Sequence, residues 1–573
     1  MSNYLTVYKE WATSNMMLPH LQEELSIIRD DQKEIEERFY QYVTFGTGGM
    51  RGLLGVGTNR INIFTIRRVA EGLALYIQSV GEEAVRRGVV IAYDTRHFSK
   101  EFAIETAKVL GGYGIRSYVF EESRPTPELS FAVRYYKAFA GVVITASHNP
   151  KEYNGFKVYG EDGGQLTPTA ASEITRFMDN RESLFSIKLA EVSELLQSGT
   201  MTYVLSELDS AYYKHLLTLQ ETEQTDNDLK IVFTPLHGAG LVPVVEGLKA
   251  YGYRHVFMVN EQAIQDPDFP TVLYPNPEER EAFQLAIELG ERNDADLLIA
   301  TDPDADRLGI AVRTNIGYQL ISGNQLGALL LHYILNEKHK KGTLPNNGVV
   351  LKSIVTSEMG RAIAASFGVS TIDTLTGFKY ISEKIEEFHV SGEFKFLFGY
   401  EESYGYLIGD FVRDKDAVQA ALLTAEMAGH YHKQGISLYE KLIELYNQFG
   451  YYKESLQSIT LIGIEGKEKI ANIMATFRDA PPTVIAGSQV IAVEDYLTGI
   501  TRKVDGQSSQ LNLPKENVIK LVLEDGSWIC IRPSGTEPKC KFYFAVCRDS
   551  ERESTQLLAE LEKEIMARVN QRE

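Results

Sequence analysis

An apolar strand that runs into a polar loop, then a helix closed by glycine, then a second apolar strand occurs three times in this chain. No other feature constrains the fold as much. The copies are VVIAYDTRHFSKEFAIETAKVLGGYGIRSYVF (89–120), LKIVFTPLHGAGLVPVVEGLKAYGYRHVFMV (229–259) and GVVLKSIVTSEMGRAIAASFGVSTIDT (348–374). A strand joined to the next through a helix is a crossover connection, which lays the two strands parallel in one sheet. In the first copy Ser99 is placed to cap the helix, and Gly111, Gly112 and Gly114 to stop it. The copies start about 120 to 140 residues apart, the spacing of domains rather than of a solenoid. Strand and helix signals alternate along most of the length, so the class is α/β and the sheets are expected to be mostly parallel.

The repeats divide the chain into α/β domains at 1–206, 207–312 and 313–440, with ELDSAYYKHLLTLQ opening the second and SLYEKLIELYNQFG leading out of the third. Beyond them the pattern changes. A helix (GKEKIANIMATFRD), loop-rich sequence, short strands such as SWICIRP and KFYFAVC and a charged terminal helix from Glu553 predict a smaller α+β domain over 441–573. Four domains of ordinary size fit a chain of 573 residues.

Composition excludes several classes of function. Lys and Arg number 58 against 78 Asp and Glu, a formal charge of −20, which repels a polyphosphate backbone and speaks against nucleic acid as a partner. Any basic cluster on such a chain stands out. No stretch approaches the roughly 18 apolar residues that would span a bilayer, and MSNYLTVYKEWATSNMM is not a basic region followed by an apolar one. A cytoplasmic protein without a membrane partner is expected. Cys530, Cys540 and Cys547 form no CxxC pair, so neither a disulfide framework nor a zinc site is expected.

Four loops have the residue types of chemistry. The strand GVVITA delivers Ser147, His148 and Asn149 into a loop, and the carboxyl ends of strands are where α/β sheets present ligand-binding groups. Ser147 is the candidate nucleophile, without a G-x-S-x-G elbow; taken alone, the segment also reads as a strand-end turn whose Ser and Asn satisfy backbone groups. In DADLLIATDPDADRLGIAV, Asp302, Asp304 and Asp306 occupy alternate positions after a buried strand, a spacing that can turn three carboxylates toward one Mg²⁺. An EF-hand would need Gly and Glu where Arg307 and Arg313 stand. In FKFLFGYEESYGYLIGD, Glu401, Glu402 and Ser403 follow an apolar strand and suit sugar hydroxyls, though a surface turn explains them equally. In WICIRPSGTEPKCKFYF, Arg532, Ser534, Gly535, Thr536 and Lys539 combine cations, hydroxyls and a close-approaching backbone, the make-up of a phosphate cradle.

In their order along the chain, TASHNP, DPDADR, EES and RPSGT resemble the signature loops of the α-D-phosphohexomutases. FGTGGMRG, GYEESYG and RDKDA are most similar to the longer bacterial α-phosphoglucomutases within that family. The resemblance implies three related mixed-sheet α/β domains and a C-terminal lid around a central cleft. It implies that Ser147 is a phosphoserine beside Mg²⁺ held by Asp302, Asp304 and Asp306, exchanging phosphoryl with a hexose phosphate and activated by glucose 1,6-bisphosphate. It casts Arg51, Lys157 and Arg307 as catalytic cations, with Lys157 as general acid/base, and gives His148 a supporting part. Thr376, Gly377, Lys379, Glu401, Ser403 and Lys415 would bind the sugar, and Arg532, Ser534, Gly535, Thr536 and Lys539 the phosphate that is not reacting. Many mannose-preferring relatives have His at the position of Phe378 and Met at that of Glu402, so the implied substrate is glucose 1-phosphate, interconverted with glucose 6-phosphate.

The alternatives are a phosphopentomutase, a phosphomannomutase or a glucose 1,6-bisphosphate synthase of the same family, and a non-enzymatic sugar-phosphate-binding relative. A haloacid-dehalogenase type enzyme is a further one, because LLIATDPDAD imitates its strand and D-x-D-x-T nucleophile and GDFVRD its later acidic motif. Asp306 occupies the position of the required Thr.

Overall fold

The computed structural model describes residues 4–46, 49–179, 184–222, 225–461, 463–534 and 539–570. The chain forms two compact units, one of Met1–Gly323 with Ile381–Ser437 and the other of Asn324–Tyr380 with Leu438–Glu573.

The first unit begins with a seven-stranded sheet of β1 (Phe45–Gly46), β2 (Gly49–Leu53), β3 (Val89–Tyr93), β4 (Ser117–Val119), β5 (Ala140–Ile144), β6 (Tyr153–Tyr159) and β7 (Met201–Tyr203). The order is β1-β2-β6-β5-β3-β4-β7. β5, β3, β4 and β7 run parallel, whereas β6, β2 and β1 are each antiparallel to their neighbours. The expectation of mostly parallel sheets is therefore corrected to a half-and-half sheet. Crossover helices produce the parallel half, but the chain leaving β5 through the Ser147 loop turns straight back as β6, and a short loop can only join antiparallel strands. β5 is buried along its whole length, as befits a central strand covered on both faces. Val69, Leu73 and Ile77 of helix Ile63–Val80 pack with Ile91, Val142 and Phe156 in one core, each such side chain contributing about 1.5–3 kcal/mol when fully buried.

A second sheet repeats the plan. It contains β8 (Lys230–Thr234), β9 (His255–Met258), β10 (Leu297–Thr301), β11 (Leu308–Thr314) and β12 (Gly317–Ile321) in the order β12-β11-β10-β8-β9. β10, β8 and β9 are parallel, and the loop with the three aspartates returns as antiparallel β11. The third copy places β13 (Gly348–Ser353) parallel to β14 (Ser370–Thr374) in the second unit. In the first unit β15 (Lys395–Glu401) turns into antiparallel β16 (Gly405–Leu407).

The crossover helices Ser99–Gly112, Leu241–Ala250 and Met359–Ser366 are each followed by a glycine at positive φ: Gly114 (74°), Gly252 (92°) and Gly368 (71°). That left-handed stop is the repeated glycine of the sequence. Two details are corrected. Ser99 is the first helical residue and not the cap, which is Phe98; its hydroxyl donates to Asp94 Oδ1 at 2.7 Å. Gly111 and Gly112 lie within the helix, where a Cβ would come within 2.4 Å of Leu195 and 2.8 Å of the Lys188 carbonyl oxygen, so they serve close packing and leave the stop to Gly114.

In the second unit an eight-stranded antiparallel sheet spans Tyr451 to Arg548. Ile470, Met474 and Phe477 of helix Gly463–Asp479 and Leu561, Ile565 and Val569 of helix Glu551–Asn570 share a core with its Ile529, Ile531, Phe542 and Phe544. Strand Tyr451–Thr460, ten residues long, was not legible in the sequence: YYKESLQSIT is polar at too many positions to show a period of two. Among the described residues no helix is long and apolar enough to cross a membrane.

Candidate active site

The site of the first unit is assembled from strand ends. Past β5, Ser147 takes a left-handed φ of 53° and its N–H donates to Thr145 Oγ1 at 2.8 Å. That conformation costs about 1–2 kcal/mol in a non-glycine residue, and Arg96 holds the loop in it. Nη2 of Arg96 donates to the carbonyls of Ser147 (2.6 Å) and Asn149 (2.5 Å), and Nη1 to those of Pro150 (2.8 Å) and Tyr153 (3.1 Å). Asp94 lies 3.2 Å from Arg96 Nε and accepts from Ser99 and Thr145, both at 2.7 Å. Sequence reasoning missed Arg96 and Asp94. Their signal was available, because YDTRHFS ends the first repeated strand as the other functional loops end theirs.

Past β10, Asp302, Asp304 and Asp306 are 0%, 0% and 2% exposed and each offers an oxygen within 4.8 Å of the others. Asp302 Oδ2 accepts from the Ser147 hydroxyl at 2.7 Å, and Oδ1 from the N–H groups of Asp306 (3.1 Å) and Arg307 (3.0 Å). Asp304 Oδ2 accepts from Thr126 Oγ1 (2.9 Å) and Lys157 Nζ (2.8 Å). Asp306 Oδ2 is 3.5 Å from Lys157 Nζ and 3.2 Å from Lys415 Nζ. Asp304 Oδ1 and Asp306 Oδ1 are buried without a hydrogen-bond partner among the described residues. Two orphaned carboxylate oxygens beside a serine oxygen form an all-oxygen set that fits a hard divalent cation. Burial, then the charges of Asp304 and Asp306, push the Asp302 carboxyl well above its ordinary range, and a bound cation opposes that push. For Asp306 burial acts upward too, but Lys415, Lys157 and Arg307 together hold it below the usual carboxylate range.

The second repeat braces this loop. Ala239 N–H donates to the Pro303 carbonyl at 2.8 Å, and a Cβ on Gly238 would stand 2.4 Å from Pro303 Cα. Glycine is required there by contact.

Lys157 lies on β6 opposite Val143 and is 5% exposed. Burial alone would lower its pKa, but Asp304 and Asp306 outweigh it and the ammonium is held above its usual range. His148 Nδ1 is 3.1 Å from Ser147 Oγ. Burial, then Arg307 and Arg51, keep its imidazole far below the usual histidine range. It is neutral. Because the one hydroxyl proton of Ser147 goes to Asp302, the matching arrangement has Nδ1–H donating to Oγ. Arg51 is exposed on β2 and donates to Asn149 Oδ1 at 2.8 Å. Arg307 pairs with Glu278, also missed from the sequence, and its Nε lies 3.9 Å from Asp306 Oδ1. Against burial, Glu278 and Asp306 hold its guanidinium above the usual range. Glu401, 5% exposed at the end of β15, interacts electrostatically with Arg307 and Lys415. Ser403 lies in the turn that follows, which is tied to the aspartate loop by Leu308 N–H on the Tyr404 carbonyl (3.0 Å) and by an Arg307–Gly405 bridge.

The structure thus brings together Ser147, His148, Asp302, Asp304, Asp306, Lys157, Arg307 and Lys415, with Arg51 and Glu401 nearby. Ser403 lies in the same unit, and the remaining expected residues belong to the second. Thr376, with its Oγ1 buried and without a hydrogen-bond partner among the described residues, and Gly377 (φ 118°) follow β14, and Lys379 Nζ lies 4.7 Å from the Tyr380 ring centroid. Arg532 lies 3.8 Å from Glu516, and Ser534 N–H donates to the Lys539 carbonyl at 2.7 Å. Gly535 and Thr536 lie outside the described residues.

Known proteins match this chain along most of its length. Residues 42–184, 210–317, 322–449 and 488–566 match, in turn, α/β/α domains I, II and III and the C-terminal domain of phosphoglucomutase/phosphomannomutase. A phosphoglucomutase of Staphylococcus epidermidis is 44% identical over 523 residues, 90% of this chain and 93% of that protein. The chain belongs to the phosphoglucomutase/phosphomannomutase family. A phosphoglucomutase of Staphylococcus aureus is 41% identical over 91% of this chain and 93% of its own length. The fold is shared with the Paramecium phosphoprotein parafusin, a phosphoglucomutase (TM-score 0.67, 18% identity, 92% of this chain and 94% of that one). A phosphoglucomutase/phosphomannomutase family protein of Burkholderia thailandensis also shares it (TM-score 0.62, 17% identity, 91% and 97%). Membership in this family overturns the dehalogenase-type alternative, and the imitation of its nucleophile strand by LLIATDPDAD is coincidental: Asp302 accepts the serine proton where a nucleophile would stand free.

Proposed function

We propose that this chain is a phosphoglucomutase, which interconverts glucose 1-phosphate and glucose 6-phosphate through phosphoserine at Ser147 and a glucose 1,6-bisphosphate intermediate. The observation that carries the reading is the Ser147 hydroxyl, 2.7 Å from Asp302 Oδ2 within three buried carboxylates. The identity of 44% to a phosphoglucomutase over 90% of the chain supports glucose as the sugar, as do Phe378 and Glu402.

In the proposed reaction a sugar hydroxyl oxygen attacks the phosphorus on Ser147. The bond from phosphorus to Oγ breaks, a bond to the sugar oxygen forms, and the sugar's proton is exchanged for one on Ser147. The bisphosphate then returns its other phosphoryl group to Ser147 by the reverse of this step. Asp302, Asp304 and Asp306, with the Ser147 oxygen, would hold Mg²⁺, which when bound neutralises charge on the transferring group. Lys157 exchanges the proton as general acid/base, His148 orients Ser147, and Arg51 and Arg307 offset the charge of the phosphoryl oxygens. Glu401, Ser403 and Lys415 bind the sugar; the chemistry of Thr376, Gly377 and Lys379 suits sugar hydroxyls, and that of Arg532, Ser534, Gly535, Thr536 and Lys539 suits a phosphate. Glucose 1,6-bisphosphate activates by phosphorylating Ser147, the enzyme works in the cytoplasm, and its domains divide at 206, 312 and 440.

Coupled assays of the purified protein on glucose 1-phosphate, mannose 1-phosphate and ribose 1-phosphate, with and without glucose 1,6-bisphosphate, test the reading. The highest kcat/KM is expected on glucose 1-phosphate. A higher value on either other sugar would overturn the assignment.

A further inference from the structure

Lys415 reaches into the aspartate cluster, with Nζ 3.2 Å from Asp306 Oδ2. A four-carbon stem is flexible, so its position must be held by neighbours. Asp414, 1% exposed, lies 3.1 Å from the same Nζ through Oδ1. The other oxygen of Asp414 accepts from Tyr159 Oη at 2.8 Å and from Gln165 Nε2 at 3.0 Å. Backbone pairing frames this contact: Tyr159 bridges Gln165, Gly164 bridges Arg413, and Arg413 N–H donates to Ser130 Oγ at 2.8 Å. On the opposite side the stem lies flat on Gly405, where a Cβ would stand 2.2 Å from Lys415 Cδ. Tyr159 follows Lys157 by two positions on β6 and so shares its face. One strand therefore supports two cations of the cluster, Lys157 directly and Lys415 through Asp414.

We propose that Tyr159 and Asp414 are positioning residues which fix the Lys415 ammonium beside Asp306, Tyr159 and Gln165 anchoring the carboxylate that steers it. The inference rests on the phosphoryl-transfer reading above. With Asp414 held from behind, Lys415 is shared between two carboxylates and the ammonium that meets the sugar is held in one place, so that loosening it costs the closely fitted transition state more than the bound ground state.

The test uses the full chain with Mg²⁺ and two readouts. Tyr159→Phe removes one hydrogen bond at nearly constant volume, and Gly405→Ala displaces the Lys415 stem from the other side. For each we expect kcat on glucose 1-phosphate to fall by about 10-fold with KM changed less than about twofold, and acetylation of Lys415 by acetic anhydride, read by mass spectrometry, to rise several-fold. A merely structural role would lower the melting temperature and leave both readouts unmoved. Unchanged kcat, or unchanged labelling of Lys415, in both variants overturns the proposal. An unmodified enzyme without mutase activity would instead overturn the phosphoglucomutase reading, and the labelling of Lys415 would still decide how its position is held.

Discussion

The aspartate cluster of the first unit has a counterpart in the second. There Lys352, fully buried on β13, lies 3.0 Å from Glu358 and 3.1 Å from Asp373, and Arg361 lies 2.7 Å and 2.5 Å from the other oxygen of each. Lys520 adds a third cation, donating to the Ile354 carbonyl at 2.8 Å and lying 4.4 Å from the Trp528 ring centroid. Both clusters sit at strand ends, the first fully buried and the second built on the buried Lys352 with Glu358, Asp373 and Arg361 half-buried. In the second every carboxylate oxygen lies within 3.1 Å of a cationic nitrogen, Asp373 Oδ1 included although it too makes no hydrogen bond among the described residues, whereas in the first Asp304 Oδ1 faces no cation among them and Asp306 Oδ1 only an Arg307 nitrogen at 3.9 Å. A density of carboxylates does not distinguish a metal site from a structural ion network. Three carboxylates converging with oxygens left far from any cation do, because buried negative charge without a close counter-charge is costly unless a cation is bound.

The largest expected effect falls on the nucleophile that only the first cluster possesses. Ser147→Ala should lower mutase activity by at least about 10³-fold, since the neighbouring hydroxyls of Thr126 and Thr145 are engaged with Asp304 and Asp94 and leave no substitute nucleophile. Incubation of the unmodified enzyme with labelled glucose 1,6-bisphosphate should give an acid-stable phosphoserine, and an acyl phosphate on Asp302 would contradict it.

The next effect separates the clusters by metal. Changing Asp304 and Asp306 together to Asn should abolish Mg²⁺-dependent activity and Mn²⁺ binding measured by calorimetry, and chelation should silence the unmodified enzyme reversibly. Glu358→Gln should leave Mn²⁺ binding intact and cost on the order of 3 kcal/mol of stability, the scale for breaking a buried pair. Burial opposes the Glu358 charge, but Lys352, Lys520 and Arg361 overcome it and hold the carboxyl at about 2. Its stabilising contribution is therefore present above the ordinary carboxylate range and is lost as pH falls toward 2. Urea titrations of both variants at pH 7 would show it.

Glu401→Gln sharpens the comparison within the first unit. It should reduce kcat/KM on glucose 1-phosphate by more than about 10-fold, roughly 1.4 kcal/mol, without changing Mn²⁺ affinity. A loss of metal with unchanged sugar kinetics would move Glu401 into the metal set.

The smallest effect concerns Glu454, a buried carboxyl of the second unit pushed up to about 7, by burial first, against the pull of Ser357, Asn324 and Lys352. The folded state binds this proton more tightly than the unfolded one, so stability falls as pH rises from about 4.5 to 7. Glu454→Gln should stabilise the protein by about 1 kcal/mol more at pH 8 than at pH 5.5, read as the difference in melting temperature. An equal shift at both pH values would remove the titration from the argument.

Local geometry was legible throughout. Alternation in DPDAD placed three carboxylates on one side of a strand end, and the glycines at 114, 252 and 368 marked three helix stops, because side-chain periods and left-handed turns are set within a few residues. The return strands were harder. β6 and β11 run antiparallel, and the apolar runs AGVVI and LLIAT read the same whichever way the neighbour runs.

From the sequence alone came the repeated α/β unit, the serine, the three aspartates and the order of the functional loops, all of which depend on contacts short in sequence. Only the tertiary structure decided that Arg96 grips the serine loop, that Lys157 and Lys415 lie on Asp304 and Asp306, and that Tyr159 reaches Asp414. These pairs join strands brought together by sheet register, and a one-residue slip in β6 would turn both Lys157 and Tyr159 to the opposite face. Nothing in the spacing of residues along one strand specifies which distant loop its side chains will meet; that follows from the packing of strand ends around the buried carboxylates.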